Sequence, residues 1–137
     1  MTSDNVILNK VQTIRRCLER IREEYDDNPD NLKNLTKQDA IILNLQRACE
    51  ASIDLAMHVV ADQNLGLPQS SRQAFDILEQ QGILSEELAV RLKSMGGFRN
   101  IAVHDYQRLS MEVVRSIISY HLDDFRAFCE IILQLGP

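Results

Sequence analysis

The sequence predicts an all-helical protein, an up-and-down bundle with one short extra helix. Apolar residues recur at intervals of three and four along most of the chain, which is the spacing of one helical face. No segment shows the sustained alternation of apolar and polar residues that a half-buried strand would have. With 45% hydrophobic residues in a length of 137, the chain can bury a core without a metal or a disulfide. We therefore expect residues 1–137 to form a single helical domain.

Two long helices are predicted in the first half of the chain. The apolar seam of the first helix comprises Ile7, Val11, Ile14, Leu18, Ile21 and Tyr25. This helix is expected to end in the polar run that begins at Asp26, since short polar side chains favour turns. The second helix is predicted over about residues 37–64, with Thr36 as its N-cap and Asp39 three residues further on.

The second predicted helix carries a polar line along an otherwise apolar surface. The line consists of Arg47, Glu50, Asp54, His58 and Asp62. It is either a narrow solvent-exposed strip or the border of a cleft, in which case Glu50, Asp54 and His58 would support residues that contact a ligand. His58 and its acidic neighbours also resemble half of a metal site, but no repeated Glu-x-x-His pair completes a di-metal bundle site. We expect no metal and no cofactor.

Shorter helices are predicted after the second long one. The first covers about residues 71–81 and ends at Gly82, a natural left-handed cap. Ser85 is expected to begin the next helix as its N-cap. We expect this helix to continue through Gly96 and Gly97.

One long helix is predicted at the end of the chain. Ser110 is its expected N-cap, and Gly136 and Pro137 are expected to end it. Its apolar seam comprises Val114, Ile117, His121, Phe125, Phe128, Ile132 and Leu135. A histidine on such a seam is expected to be a core or interface residue. The seams of the three long helices are wider than one small bundle can cover, which predicts a homodimer.

Composition argues against several classes of function. Twenty acidic against fifteen basic residues give a net charge of -5, the wrong sign for a protein that holds nucleic acid by its overall charge. The three cysteines are odd in number and far apart, so they indicate neither a disulfide framework nor a zinc knuckle, and a reducing cytoplasm is expected. No stretch approaches the ~20 apolar residues of a membrane span, so no membrane association is expected.

Positive charge is nevertheless concentrated in one part of the sequence. Between positions 91 and 108, only Asp105 opposes the four basic residues Arg91, Lys93, Arg99 and Arg108. The resulting surplus of three positive charges predicts a small basic cleft that can bind phosphate. Arg91, Lys93 and Arg108 are the candidate contacts of that cleft with the phosphates of a nucleic acid such as RNA.

Reactive side chains are densest in the segment FRNIAVHDYQR, which contains Arg99, Asn100, His104, Asp105 and Tyr106. At about 100° per residue, Arg99 and His104 lie roughly 140° apart on a helix, whereas Asn100 and His104 share a face. Arg99 and His104 can therefore act on one atom only at the end of the helix or together with a second copy across a symmetry axis.

The order of residues in this segment resembles that of the HEPN family. HEPN ribonucleases carry an arginine, a polar residue, a short spacer and a histidine, which here read RNIAVH. Tyr106, two residues after His104, completes the pattern R-x4-H-x-Y, which is similar to the HepT toxin branch paired with a minimal nucleotidyltransferase antitoxin. The predicted helical outline agrees with this resemblance over essentially the whole chain.

The resemblance implies a metal-independent endoribonuclease with its cleft at a homodimer interface. Arg99 and His104 of both subunits would converge there on RNA, with the imidazoles exchanging protons and the guanidinium groups binding phosphoryl oxygens. Asn100 would orient the imidazole, and Asp105 would support the site. The antitoxin would transfer AMP to Tyr106, and the added bulk and negative charge would block the cleft.

A noncatalytic module is the alternative. HEPN relatives also include helical proteins that bind substrate or present it to a nucleotidyltransferase. The presence of Arg99, His104 and Tyr106 together favours catalysis, because a scaffold has no need of all three.

Overall fold

The computed structural model describes residues 2–135, with side chains from residue 5 onward, and is all-helical over that range. Six helices follow one another: α1 (Thr2–Tyr25), α2 (Leu35–Asp62), α3 (Ser71–Gln80), α4 (Glu86–His104), α5 (Met111–Tyr120) and α6 (Leu122–Gln134). Single 3-10 turns lie at Pro29–Lys33 and Tyr106–Arg108. The predicted fold class is confirmed. Gly136 and Pro137, which were expected to end the last helix, lie outside the described residues.

Helix α2 is the centre of the fold. It packs most extensively against α1 and also contacts α3, α4 and α6. Its fully buried side chains include Ile41, Leu45, Leu55 and Val60, which point to several different neighbours because they lie on more than one face. The wide apolar surface read from the sequence is therefore explained by burial on several sides.

Helix α2 begins earlier than the sequence predicted. Asn34 is its N-cap, and the Asn34 side chain accepts a hydrogen bond from the backbone N–H of Lys37 at 3.1 Å. Thr36 therefore lies inside the first turn, and its assignment as the cap was wrong. Both residue types cap helices well, but the chain leaves the preceding 3-10 turn at Asn34 with extended backbone angles, which is the conformation a cap needs.

The predicted last helix is two helices, and its expected continuity was wrong. The chain breaks at His121, whose backbone has a φ of -124° and a ψ of 0°. The His121 Nδ1 atom lies 3.0 Å from the Asp124 carboxylate, which also accepts a hydrogen bond from Arg91 Nε at 2.9 Å. Periodicity did not reveal the break because Val114 before it and Phe128 after it are both buried in the same core.

Helix α4 is continuous through Gly96 and Gly97, as expected, and carries the motif segment to its C-terminal end. Its N-cap is Ser85, whose side chain accepts from Leu88 N–H at 3.1 Å. Gly82, with a φ of +75°, forms the predicted turn after α3. Among the described residues, no helix combines the length and the apolar character needed to cross a membrane.

Candidate functional site

Arg99 is held on the face of α4 that meets α2. Its Nε atom lies 3.7 Å from Glu50 Oε1, and its Nη1 atom donates to Asn100 Oδ1 at 3.3 Å. The side chain is half-buried, so these two neighbours restrict the guanidinium group. The Arg99 side chain also lines the groove between α4 and α2.

That groove includes part of the polar line on α2. It has a volume of about 240 Å³ and is lined by Glu50, Ile53, Asp54, Ser71, Arg99 and Asn100. Glu50 and Asp54 thus border a groove that contains motif residues, and Asp54 also pairs with Lys10 at 3.2 Å. His58 is not one of its lining residues, and its Nε2 atom is buried without a hydrogen-bond partner in the part of the chain that the structure describes.

His104 is the last residue of α4, and its side chain is exposed. Within residues 5–135 its imidazole makes no hydrogen bond or ion pair. Asn100 forms no hydrogen bond with His104 in the described chain; its side-chain oxygen accepts a hydrogen bond from Arg99 at 3.3 Å. His104 is therefore placed to contact a ligand or a second copy, whereas Asn100 restricts the guanidinium group.

Tyr106 lies in the turn after α4 and is tied to α2. Its hydroxyl donates to Asp39 Oδ1 at 2.5 Å, across 67 positions of sequence. Burial, together with the hydrogen bond and negative charge of Asp39, raises the pKa of Tyr106 to about 12. The hydroxyl is therefore protonated at neutral pH, although the residue as a whole is 40% exposed.

Sequence reasoning missed Asp39 as a site residue. It was noticed only as part of a possible capping box, and nothing in the spacing of the motif points 67 positions back along the chain. The contact arises because α4 and the following turn pack beside the start of α2, which only the folded structure shows.

The predicted surplus of positive charge is cancelled in the folded chain. Lys93 pairs with Asp76 of α3 at 2.7 Å, and Arg91 pairs with Asp124 of α6 at 2.9 Å. The Lys93 side chain is only 15% exposed, so it has little surface to offer RNA. The count along the sequence did not include these carboxylates, which the fold brings from other helices.

Arg108 differs from these two residues. It pairs only with Asp105 of its own turn, at 3.4 Å, and its side chain is 81% exposed. Asp105 also ends α4, since its backbone N–H bonds to the carbonyl of Ile101 at 2.8 Å. Of the three candidate RNA contacts, Arg108 is the most accessible.

A second basic surface was not predicted. Arg16, Arg20 and Arg47 line a groove between α1 and α2 together with the exposed Leu43. Arg20 pairs with Glu23 and Glu24, but Arg16 and Arg47 form no ion pair with any described residue. Their separation in sequence hides this cluster from a motif search.

An apolar groove of about 590 Å³ separates α4 from α5. Its apolar walls include Phe98, Ile101, Val113 and Ile117, and Arg108 and His121 lie at its edges. Ile101 and Val113 are exposed large hydrophobic residues.

Among the described residues, no group of three or more His, Cys, Asp and Glu side chains is arranged to hold a metal ion.

Comparison with known proteins agrees with the motif. Residues 14–132 match the family described as Ribonuclease HepT-like. The chain belongs to this HepT-like family. It is 46% identical over 129 residues to the mRNA nuclease HepT of Shewanella oneidensis, an alignment that covers 94% of this chain and 97% of that protein.

Solved structures of toxin–antitoxin complexes contain a similar fold. A toxin–antitoxin structure with AMP-PNP includes a chain that matches with a TM-score of 0.90 and 46% identity, covering 94% of this chain and 98% of that one. A tri-AMPylated Shewanella oneidensis HEPN toxin in complex with MNT antitoxin matches with a TM-score of 0.89 and 47% identity, covering 93% of this chain and 96% of that one. The resemblance read from the motif is confirmed.

Proposed function

We propose that this chain is a toxin endoribonuclease that cleaves RNA as a homodimer and without a metal ion. Membership of the HepT-like family supports ribonuclease activity. The observation that carries the proposal is the contrast in the last part of α4, where Arg99 contacts Glu50 and Asn100 while the exposed His104 imidazole has no hydrogen bond or ion pair in the described chain. A guanidinium group and an unengaged imidazole, brought together from two copies, suit phosphodiester cleavage by proton transfer.

The proposed reaction is attack of a ribose 2'-oxygen on the adjacent phosphorus. One His104 imidazole takes the 2'-hydroxyl proton, and the imidazolium of the second copy gives a proton to the leaving 5'-oxygen. The 2'-oxygen is already tethered to the phosphate, so its attack is effectively intramolecular. Arg99 donates hydrogen bonds to the phosphoryl oxygens as negative charge collects on them. The products are a 2',3'-cyclic phosphate and a 5'-hydroxyl.

Two features support the homodimer. Arg99 and His104 are five positions apart on one continuous helix, so their side chains leave it roughly 140° apart. One copy therefore does not readily aim both at a single phosphate. The apolar groove beside α4, with exposed Ile101 and Val113, is the kind of surface that a second copy covers.

The supporting residues have more specific roles than the sequence indicated. We propose that Asn100 and Glu50 position Arg99, and that Asp54 borders the same groove. His58, two helical turns beyond Glu50, has no place in this arrangement. Asp105 ends α4 and orients the exposed Arg108.

We propose Arg108 as an RNA contact on one side of the site and the groove of Arg16 and Arg47 as a further source of positive charge. Arg91 and Lys93 are engaged by carboxylates of other helices, and their role in this proposal is to position α4. Affinity for RNA should be modest and sensitive to salt, since few charges are free to contact phosphate.

We propose that a nucleotidyltransferase antitoxin neutralises the activity by transferring AMP to Tyr106. A Shewanella relative is described as a tri-AMPylated toxin in complex with MNT antitoxin. Tyr106 is two residues from His104, so AMP there adds bulk and negative charge beside the imidazole and repels RNA phosphate. RNA and nucleoside triphosphates meet in the cytoplasm, where we expect both activities.

The test is RNA cleavage by His104→Ala in the presence of EDTA. We expect a rate about 10²- to 10⁴-fold below that of the parent, with an unchanged circular dichroism spectrum. Gln107→Ala, which changes an exposed neighbour in the same turn, is the control and should cleave like the parent. Cleavage by His104→Ala at the parental rate would mean that the activity comes from another site or from a contaminant, and would contradict the role of His104. Loss of parental activity in EDTA and its return with Mg²⁺ would contradict metal independence.

A further inference from the structure

The hydrogen bond between Tyr106 and Asp39 joins two parts of the molecule that are distant in sequence. Asp39 lies on the exposed surface of α2, about one turn from its start, and Tyr106 opens the turn after α4. The Tyr106 hydroxyl has Asp39 as its hydrogen-bond partner. Asp39 forms no ion pair with the described residues, so no cation of the described chain neutralises its carboxylate.

This contact bears on the chemistry of the modification. A phenol must lose its proton when its oxygen attacks phosphorus, and a phenol whose pKa is raised to about 12 is almost entirely protonated at neutral pH. The proton must therefore leave during the attack. In the described part of the chain, the hydrogen-bond acceptor of that hydroxyl is the Asp39 carboxylate.

We propose that Asp39 is the general base for AMP transfer to Tyr106, so that the toxin itself supplies the group that activates its own acceptor hydroxyl. This inference rests on the proposed function, because it takes Tyr106 as the modified residue. In the step, Tyr106 Oη forms a bond to the α-phosphorus of a nucleoside triphosphate, the bond from that phosphorus to the β-phosphate oxygen breaks, and pyrophosphate leaves. The hydroxyl proton passes to Asp39 Oδ1.

Other groups near the hydroxyl are poorer candidates. Asp105 is adjacent in sequence, but its carboxylate pairs with Arg108. His104 forms no hydrogen bond with Tyr106 in the described chain, and in the proposed reaction it acts on RNA. Among the described residues, Asp39 is thus the carboxylate that is hydrogen-bonded to the reacting oxygen and forms no ion pair.

The contact also differs from an ordinary structural tether in a way that substitution can show. Asn at position 39 keeps the size and the carbonyl oxygen that accepts the hydrogen bond, but an amide does not take up the proton. Glu keeps the carboxylate on a longer side chain. A tether would be preserved by Asn, whereas a proton acceptor would be preserved only by Glu.

The experiment measures single-turnover AMP transfer from ATP within the preformed complex of the full chain and its nucleotidyltransferase. Intact mass follows the reaction, and peptide mapping locates the product. We expect Asp39→Asn to lower the rate about 10²-fold or more, and Asp39→Glu to restore it to within about tenfold of the parent. The affinity of the toxin for the transferase should stay the same in both variants. Asp30→Asn, another exposed aspartate, is the matched control and should react like the parent.

Three results would overturn the inference, and they are distinguishable. If Asp39→Asn transfers AMP at the parental rate, Asp39 is only a tether and the inference alone fails. If Asp39→Asn loses affinity for the transferase but reacts normally once bound, Asp39 acts in docking and not as a base. If the parent is modified at another residue, or if Tyr106→Phe is modified as fast as the parent, the proposed neutralisation fails and the inference fails with it.

Discussion

The two halves of α4 use charged residues in opposite ways. Before Gly96, Arg91 and Lys93 pair with carboxylates of α6 and α3, and each pair joins two helices. After Gly97, Arg99 is restrained by weaker contacts, and His104 is exposed without a partner in the described chain. Charge in the first half therefore holds the bundle together, whereas in the second half it is available to a ligand.

Among substitutions that break the ion pairs of the first half of α4, we expect the largest loss of stability at Asp124. Asp124 is 7% exposed. Its carboxylate accepts a hydrogen bond from Arg91 and lies 3.0 Å from His121 Nδ1. Asp124→Ala leaves both of these groups without their partner and should lower the free energy of unfolding by about 2–3 kcal/mol, somewhat less than for a fully buried pair because Arg91 is partly exposed. Urea denaturation followed by circular dichroism measures the difference.

The adjacent residue supplies the control for that measurement. Asp123 pairs with Arg126, and its side chain is 89% exposed. Asp123→Ala should change the free energy of unfolding by less than about 0.5 kcal/mol. Equal losses from Asp123→Ala and Asp124→Ala would show that the first half of α4 does not depend on the buried pair.

A smaller effect is expected at Arg108, in the region assigned to RNA. Arg108→Ala should weaken binding of a single-stranded RNA several-fold and lower the dependence of log K on log salt concentration by about 0.7. Fluorescence anisotropy in the His104→Ala background measures binding without cleavage. Arg126→Ala removes a guanidinium group from α6 and should leave both quantities unchanged. An equal effect of the two substitutions would mean that Arg108 contributes only to net charge.

The sequence was sufficient to predict the helices and the motif, because both depend on residues that are close together in the chain. The spacing of apolar residues defines α1, α2 and α4, and α4 continues through its two glycines as expected. The position of the cap of α2 and the break at His121 could not be predicted in the same way. The cap and the break each depend on a local backbone conformation. Neither one changes the spacing of the apolar residues along the sequence.

Long-range pairs limited the prediction of the site. The neutralisation of Lys93 by Asp76, and the hydrogen bond of Tyr106 to Asp39, each join residues on different elements of the fold. A count of charges within one segment does not include Asp76, which lies on another helix. A motif defined by neighbouring residues does not include Asp39, which lies far back in the sequence. The residue types at the site were readable from the sequence, whereas their partners required the packing of the helices.

The central claim is that a second copy completes the site at the end of α4. It is tested by mixing the parent with His104→Ala in varied proportions, under conditions that exchange subunits, and measuring RNA cleavage. The account predicts that cleavage falls more steeply than the fraction of parental subunits, because a mixed dimer keeps one His104 imidazole and lacks the second one that the proposed proton transfers require. Cleavage that falls in proportion to the parental fraction, with subunit exchange shown by native mass spectrometry, would contradict a shared site.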